Sequence, residues 1–198
     1  MLSANDIQSS LTGAWHLMLG KVDGLRLLDL SADGFWNSFF AIVVAVPAMI
    51  VGWVGTANAI ATADPSLSRF ILMLKLAMVD IGIWVLPLLA LAAIAPRAGL
   101  SGRFVHYVVA SNWASAIIAW LTLPAALVHM FLPATDQASQ LISLSLFFLS
   151  QVFSWRMTTT AIGKGGAMGT AVFAGMFVTS LLVLFALTQL LNIPALGD

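Results

Sequence analysis

Long apolar segments alternate with short polar ones along most of the chain. Five of these segments are close to the ~20 residues that an α-helix needs to cross a bilayer. They run approximately over 35–56, 70–95, 104–131, 139–155 and 168–191. Because polar and turn-forming residues separate them, the pattern predicts five transmembrane helices connected by short loops.

The first thirty residues follow a different pattern, because apolar side chains recur there at spacings of three and four residues. Such spacing is typical of an amphipathic helix. The stripe consists of Ile7, Leu11, Trp15, Met18, Val22 and Leu25. Ser3, with Asp6 three residues later, predicts a capping box at the start of this helix. Two environments are open for the stripe: the membrane interface, which Lys21 and Arg26 favour, or the transmembrane bundle.

Turn-forming residues predict where the helices begin and end. Gly20 and Gly24 should break or bend the N-terminal helix. Asp64-Pro65 predicts a cap followed by a first-turn proline at the start of the second span. Residues 133–136 open the fourth span, and residues 163–166 separate it from the fifth. No cleavable signal peptide is expected, since the first thirty residues lack a basic start followed by an apolar core.

Composition decides the class of protein. Of 198 residues, 61% are hydrophobic and 8% are charged, against about 25% charged in an ordinary soluble domain. A soluble fold and a disordered chain are therefore excluded. Nucleic acid is not an expected partner, because eight basic residues balance eight acidic ones. The prediction is an all-α polytopic membrane protein, with an interfacial helix over 1–30 and a transmembrane domain over 31–198.

The loop charges predict an orientation. Six basic residues fall on one side of a five-span bundle: Lys21, Arg26, Arg97, Arg103, Arg156 and Lys164. The other side has Arg69, and Lys75 lies within the second span. Cytoplasmic loops of membrane proteins carry an excess of Lys and Arg. The N-terminus is therefore expected in the cytoplasm and the C-terminus outside.

Aromatic residues near the ends of the spans extend this interpretation. Trp36, Tyr107 and Trp155 are expected at the cytoplasmic interface and Trp53 at the outer one, as in the aromatic belts of membrane proteins. Trp15 and the six basic residues on the cytoplasmic side are predicted to contact membrane lipids or a partner protein.

Asp80 is a charged residue close to the middle of its predicted span. An intramembrane carboxylate is costly unless it is paired, hydrated or protonated, so it is a candidate functional group. Asn112 and Gln151 fall at a similar depth, ~15–18 Å from the outer surface at 1.5 Å per residue. The three form a candidate polar site; the alternative is hydrogen bonding between helices. Lys75, nearer the outer end, can extend to the headgroups.

Small residues at four-residue spacing predict three helix-packing faces. Such residues allow helix backbones to approach closely in a membrane. The three rows are Ala48, Gly52 and Thr56; Ser111, Ser115 and Ala119; and Ala171, Gly175 and Thr179.

The residue inventory argues against enzymatic chemistry. The chain contains neither Glu nor Cys, which excludes thiolate metal sites and the His-Glu-x-x-His zinc motif. His106 and His129 are separated by ~34 Å along one helix, so they do not form a haem-ligating pair. We therefore expect no catalytic residues, no metal and no cofactor.

Two short segments carry a resemblance to known proteins. Residues 24–36, Gly-Leu-Arg-Leu-Leu-Asp-Leu-Ser-Ala-Asp-Gly-Phe-Trp, and residues 155–158, Trp-Arg-Met-Thr, resemble uncharacterised five-span inner-membrane proteins of alphaproteobacterial type. The layout is similar to that of the Yip (Ypt-interacting protein) family of membrane-trafficking proteins. This resemblance implies a multi-pass protein of the bacterial inner membrane.

Two functions are compatible with these features. The first is a non-enzymatic scaffold or accessory subunit of Yip-like layout, which organises the membrane or docks on a larger complex. The second is a small oligomeric transporter or channel that uses Asp80 as a proton or cation site. The expected partners are membrane lipids and either a protein complex or further copies of the chain.

Overall fold

The computed structural model of the chain describes residues 2–131 and 137–194. Every regular element within these residues is helical. The α-helices are α1 (Ala4–Met18), α2 (Ala32–Asn37), α3 (Phe40–Ala63), α4 (Arg69–Ile94), α5 (Ser101–Phe131), α6 (Gln137–Ile162) and α7 (Gly166–Leu190), with a 3-10 helix (Val22–Leu27) after α1. This confirms the all-α prediction.

Five helices are long and apolar enough to cross a membrane, which confirms the predicted number of spans within the described residues. The first combines α2 and α3 over Ala32–Ala63, and the others lie in α4 to α7. The helix of the fourth span, α6, extends to Ile162, beyond the predicted end at 155. The predicted end lies just before Arg156 and the threonines that follow it. The hydroxyl groups of Thr159 and Thr160 donate to the Arg156 carbonyl, so these polar residues remain helical.

The second span begins at Arg69, close to the predicted residue 70, but the cap predicted for it at Asp64-Pro65 is wrong. Asp64 is the C-cap of α3, and α4 begins at Arg69 with Ser68 as its N-cap. The Asp64 carboxylate accepts hydrogen bonds from the backbone and the hydroxyl of Ser66, at 3.0 and 2.6 Å. An aspartate side chain often closes such a turn by accepting a hydrogen bond from the backbone N–H two residues later. The predicted opening of the fourth span at 133–136 lies outside the described residues.

The five long helices form a ring. Each contacts two neighbours, in the order α3, α5, α6, α7, α4 and back to α3, while α4 and α5 face each other with few contacts. The loops at 95–100 and 163–165 lie at one end, with α1 packed beside α5 and α6. This end also holds the larger apolar core, including Leu17, Val108 and Ile162. We call it the basic end, because all six of the grouped Lys and Arg residues fall there.

The N-terminal unit, α1 plus the 3-10 helix (residues 4–27), packs against the bundle. Its buried face is formed by Ser10, Gly13, Ala14, Leu17 and Met18. The predicted stripe is correct in part: Met18 is buried and Ile7, Leu11 and Leu25 pack against the core. Trp15 and Val22, by contrast, are 39% and 65% exposed. Small residues, which periodicity of large apolar side chains overlooks, supply much of the contact. The bundle is thus the environment of the buried face of α1.

The predicted capping box of α1 is confirmed. The Asp6 backbone donates to the Ser3 hydroxyl at 3.2 Å, and the Ser3 backbone donates to the Asp6 carboxylate at 2.8 Å. Hydrogen bonds from the Ser3 backbone and hydroxyl hold the pKa of Asp6 below its ordinary value. A lowered pKa means that the box stabilises the fold above the ordinary aspartate pKa. This contribution is lost as the pH falls through the lowered value.

Two glycines allow the N-terminal unit to fold back on itself. Gly20, with φ of +78°, follows the end of α1, as predicted for a helix-breaking glycine. Gly24 then lies against α1, where an added Cβ would meet the Gly13 carbonyl oxygen at 2.4 Å. A side chain there cannot be accommodated without moving backbone.

Gly24→Ala should therefore destabilise the protein. We expect a cost of about 1–3 kcal/mol, which is typical of overpacking in a close contact, measured as a lower thermal unfolding midpoint in detergent. Gly52→Ala is the matched control, because no atom lies within 4 Å of its added Cβ. Equal midpoints for the two variants would show that the contact with Gly13 is not tight.

Candidate functional site

A cavity of about 670 Å³ lies inside the helix ring. Residues of all five long helices line it, which is possible because α4 and α5 stand apart across the ring. Asp80, Asn112 and Gln151, which the sequence places at one depth, all belong to this lining. The three residues of the predicted polar site thus line a single cavity.

Small residues create much of this space. The row of Ala48, Gly52 and Thr56 and the row of Ser111, Ser115 and Ala119 both line the cavity. They were predicted to form close helix-packing faces, and for Gly52 that prediction is wrong, because no neighbour lies within 4 Å of its added Cβ. In the third row, Ala171 and Gly175 are exposed. The glycine that packs tightly in α7 is Gly169, against Thr159 of α6.

Asp80 projects from α4 toward α3. Its carboxylate accepts a hydrogen bond from the Trp53 indole N–H at 2.7 Å. Within the described part of the chain it has no ion pair, and the nearby helical cation, Lys75, donates instead to the Asn192 carbonyl at 3.4 Å. Tyr107 is the other titratable residue in the described lining. Asp80 is therefore a carboxylate without a cationic partner, in a cavity at mid-membrane depth.

Asn112 has a different environment. It is fully buried, its carbonyl accepts from the Trp84 indole at 2.9 Å, and its amide donates to the Ser38 hydroxyl at 2.8 Å. Ser38 in turn donates to the Phe35 carbonyl at 2.7 Å. This network joins α4, α5 and the junction between α2 and α3. Asn112 thus holds helices together, which was the structural alternative considered for it.

Gln151 is half-buried on α6 and lines the cavity. Its side chain makes no hydrogen bond to the residues that the structure describes. A free amide in the same cavity as Asp80 adds one donor group and one acceptor group for a bound molecule.

Indole groups connect the helices, a role that the sequence analysis missed. Trp53 donates to Asp80 and Trp84 donates to Asn112, two contacts that were not predicted. Trp120 donates to the Val44 carbonyl at 2.9 Å. Trp155 donates to the Thr170 hydroxyl at 2.9 Å. Trp53 lies ten residues before the end of α3 and donates to Asp80, so its predicted position in the outer aromatic belt is wrong. The sequence signal that could have linked Trp53 to Asp80 was their common depth, because both lie about ten residues from the loop that joins α3 and α4.

The cavity is closed at the basic end. Leu88, Tyr107, Met157 and Thr158 line it there, and all four are buried. The Tyr107 hydroxyl interacts with the Thr158 side chain. Tyr107 was predicted to be an interfacial aromatic residue, but it is part of this closure. Towards the opposite end, lining residues such as Thr56, Thr122 and Ser180 are partly exposed.

The residues predicted to contact lipid or a partner divide into two groups. Lys21, Arg26 and Arg97 are exposed at the basic end. The second group makes internal contacts, although three of its four members are also exposed: Trp15, Arg156, Lys164 and the half-buried Arg103. Arg156 donates to the Leu19 carbonyl at 2.6 Å and Lys164 donates to the Gly99 carbonyl.

Trp15 packs edge-on against Phe153, with ring centroids 5.4 Å apart, and Arg103 lies beside Gly163. Together with Arg156 and Lys164, these contacts connect the N-terminal unit and the loops of the basic end. Their role within the described residues is thus at least partly structural.

No group of three His, Asp or Glu side chains capable of holding a metal occurs in the described ranges. Comparisons with protein-family models, with curated proteins and with solved structures give no match to this chain. The resemblance to Yip-like inner-membrane proteins therefore stays a prediction.

Proposed function

We propose that this protein is a membrane carrier that binds a small solute in its central cavity, with Asp80 as the acceptor for a cation or a proton. The observation that carries the proposal is the carboxylate of Asp80, which lines a cavity of about 670 Å³ formed by all five long helices and has no cationic partner among the described residues. The proposed setting is the bacterial inner membrane, with the basic end in the cytoplasm.

A cavity of this kind is costly in a purely structural protein. Small side chains around such a space forgo the packing energy that larger apolar ones would supply, and a carboxylate at mid-membrane depth is expensive when it is unpaired. Close helix packing around an apolar residue would avoid both costs. The combination is explained if the space is occupied by a solute during part of a transport cycle.

Asp80 supplies the coupling in this proposal. A cationic solute and a proton compete for one carboxylate, so binding one releases the other. The Trp53 indole orients the carboxylate by donating to one of its oxygens at 2.7 Å, which leaves the second oxygen for the solute. Since the basic end is closed, entry occurs in this arrangement from the opposite end.

Cysteine accessibility tests the proposal, because the chain has no cysteine of its own. Ser180→Cys introduces a thiol into the cavity lining on α7. We expect the charged reagent MTSET to modify it from both sides of the membrane, in right-side-out and in inside-out vesicles. A carrier exposes its cavity alternately to each side, so both preparations should react.

Leu182→Cys is the matched control on the same helix. Leu182 is 65% exposed on the outside of the ring, where a charged reagent dissolved in water does not reach a thiol facing lipid. Reaction of Ser180→Cys from one side alone, or from neither side, would contradict the carrier proposal.

A scaffold function is the second candidate, and the exposed basic residues Lys21, Arg26 and Arg97 favour it. Basic residues near anionic lipid contribute about 1 kcal/mol each. A scaffold should copurify with a stable partner in mild detergent. It should also leave the Ser180→Cys thiol unreactive from the side of the basic end, where the cavity is closed.

A further inference from the structure

We infer that the solute is a lipophilic organic monocation, a quaternary or protonated amine or a related onium ion, held between Asp80 and the aromatic rings of the cavity. This inference rests on the proposed carrier function and names its substrate class. It depends on one carboxylate and the rings of Trp53, Trp84, Phe173 and Phe177 lining the same cavity.

Charge limits the solute to a single positive charge. Asp80 is the sole Asp or Glu among the described lining residues, and no Lys, Arg or His accompanies it. A monocation neutralises this carboxylate, whereas a dication leaves an unpaired charge inside the membrane. An anion meets no compensating group and is repelled.

The aromatic rings favour an organic cation. Trp, Tyr and Phe attract cations over their faces, most strongly when the site is desolvated. Phe173 and Phe177 lie one turn apart on α7 with their rings stacked at 6.3 Å. Trp53 of α3 and Trp84 of α4 line the same cavity. Quaternary ammonium groups are recognised by aromatic surroundings of this kind.

An inorganic cation fits the site less well. Divalent metal ions take several oxygen ligands, commonly more than one of them a carboxylate, and the described lining supplies one carboxylate. The volume of about 670 Å³ also falls within the range of about 300–1,000 Å³ that is typical of pockets for drug-sized ligands. A bulky solute with apolar substituents fills this space, while a single ion does not.

Tetraphenylphosphonium and tetraphenylborate form a matched pair of probes, because they share size and shape and differ in the sign of the charge. We expect the purified protein in detergent to bind radiolabelled tetraphenylphosphonium and not tetraphenylborate. Asp80→Asn should weaken this binding at least about 30-fold, the lower end of the cost of removing one partner from a buried charge pair. Asp33→Asn, an exposed carboxylate in α2, is the control and should bind as the native protein does.

Two further measurements place the probe in the cavity. Phe177→Leu should weaken binding about threefold to tenfold, as expected for the loss of one cation–π contact. Tetraphenylphosphonium should also protect Ser180→Cys from MTSET. Equal binding of both probes, or unchanged tetraphenylphosphonium binding by Asp80→Asn, would overturn the inference.

The failure of this inference can be distinguished from failure of the carrier proposal. If Ser180→Cys reacts from both sides but tetraphenylphosphonium neither binds nor protects the thiol, the carrier proposal stands and the substrate class is wrong. If Ser180→Cys reacts from neither side, the carrier proposal fails, and the substrate class fails with it.

Discussion

Asp80→Asn is expected to abolish the charge selectivity of the cavity. In the Ser180→Cys protein, cationic MTSET should react much faster than anionic MTSES, because both reagents must enter the space beside the Asp80 carboxylate. A unit charge about 8 Å away contributes about 2 kcal/mol at an effective dielectric constant of ~20. The contribution has opposite signs for the two reagents. The ratio of the two rates thus contains about 4 kcal/mol of this charge effect, and neutralising Asp80 should lower it on the order of a thousandfold.

The substitution is chosen to keep the local structure. The amide oxygen of asparagine still accepts a hydrogen bond from Trp53, so the contact between α3 and α4 is retained and the charge alone is lost. Asp33→Asn in the same Ser180→Cys background removes one exposed carboxylate and should leave the ratio unchanged. A rate ratio that survives Asp80→Asn would mean that the carboxylate does not control which solutes enter the cavity.

Trp113→Ala is expected to have the largest effect on stability. Trp113 of α5 is 2% exposed and lines a small cleft together with Ser10 and Leu27 of the N-terminal unit. Removing a buried Trp side chain costs about 3–5 kcal/mol. For a chain of this size, we expect the unfolding midpoint in detergent to fall on the order of 10 °C.

The same substitution should loosen the N-terminal unit. Trypsin cleaves after Lys and Arg, so faster cleavage after Lys21 and Arg26 is expected in Trp113→Ala. Trp36→Ala is the control, because Trp36 is 71% exposed and its loss leaves no cavity. A similar midpoint and cleavage rate for both variants would show that Trp113 does not anchor the unit.

Hydropathy determined the number of spans because each helix must bury about 20 consecutive residues in lipid. The predicted ends were less accurate. Asp64-Pro65 lies in a turn that precedes α4, and α6 continues past Arg156. Asp64 closes a local turn with Ser66. Arg156 donates to the Leu19 carbonyl, a distant partner that the linear sequence does not reveal.

The candidate site was predicted in part. Counting residues from the span ends placed Asp80, Asn112 and Gln151 at one depth, because a straight helix rises by a constant 1.5 Å per residue. Depth does not specify rotation about the helix axis or the order of the helices in the ring. The sequence therefore did not reveal that Trp84 and Ser38 engage Asn112, or that Trp53 donates to Asp80.

The sequence by itself determined that the chain is a helical membrane protein with five spans, one carboxylate at mid-membrane depth and its basic residues grouped at one end. These properties follow from composition and one-dimensional spacing. The tertiary structure decided that two rows of small residues line a cavity instead of a packed interface. It also decided which polar groups are paired. Both outcomes depend on how α4 and α5 stand apart across the ring, and this arrangement is set by the side chains of all five helices together.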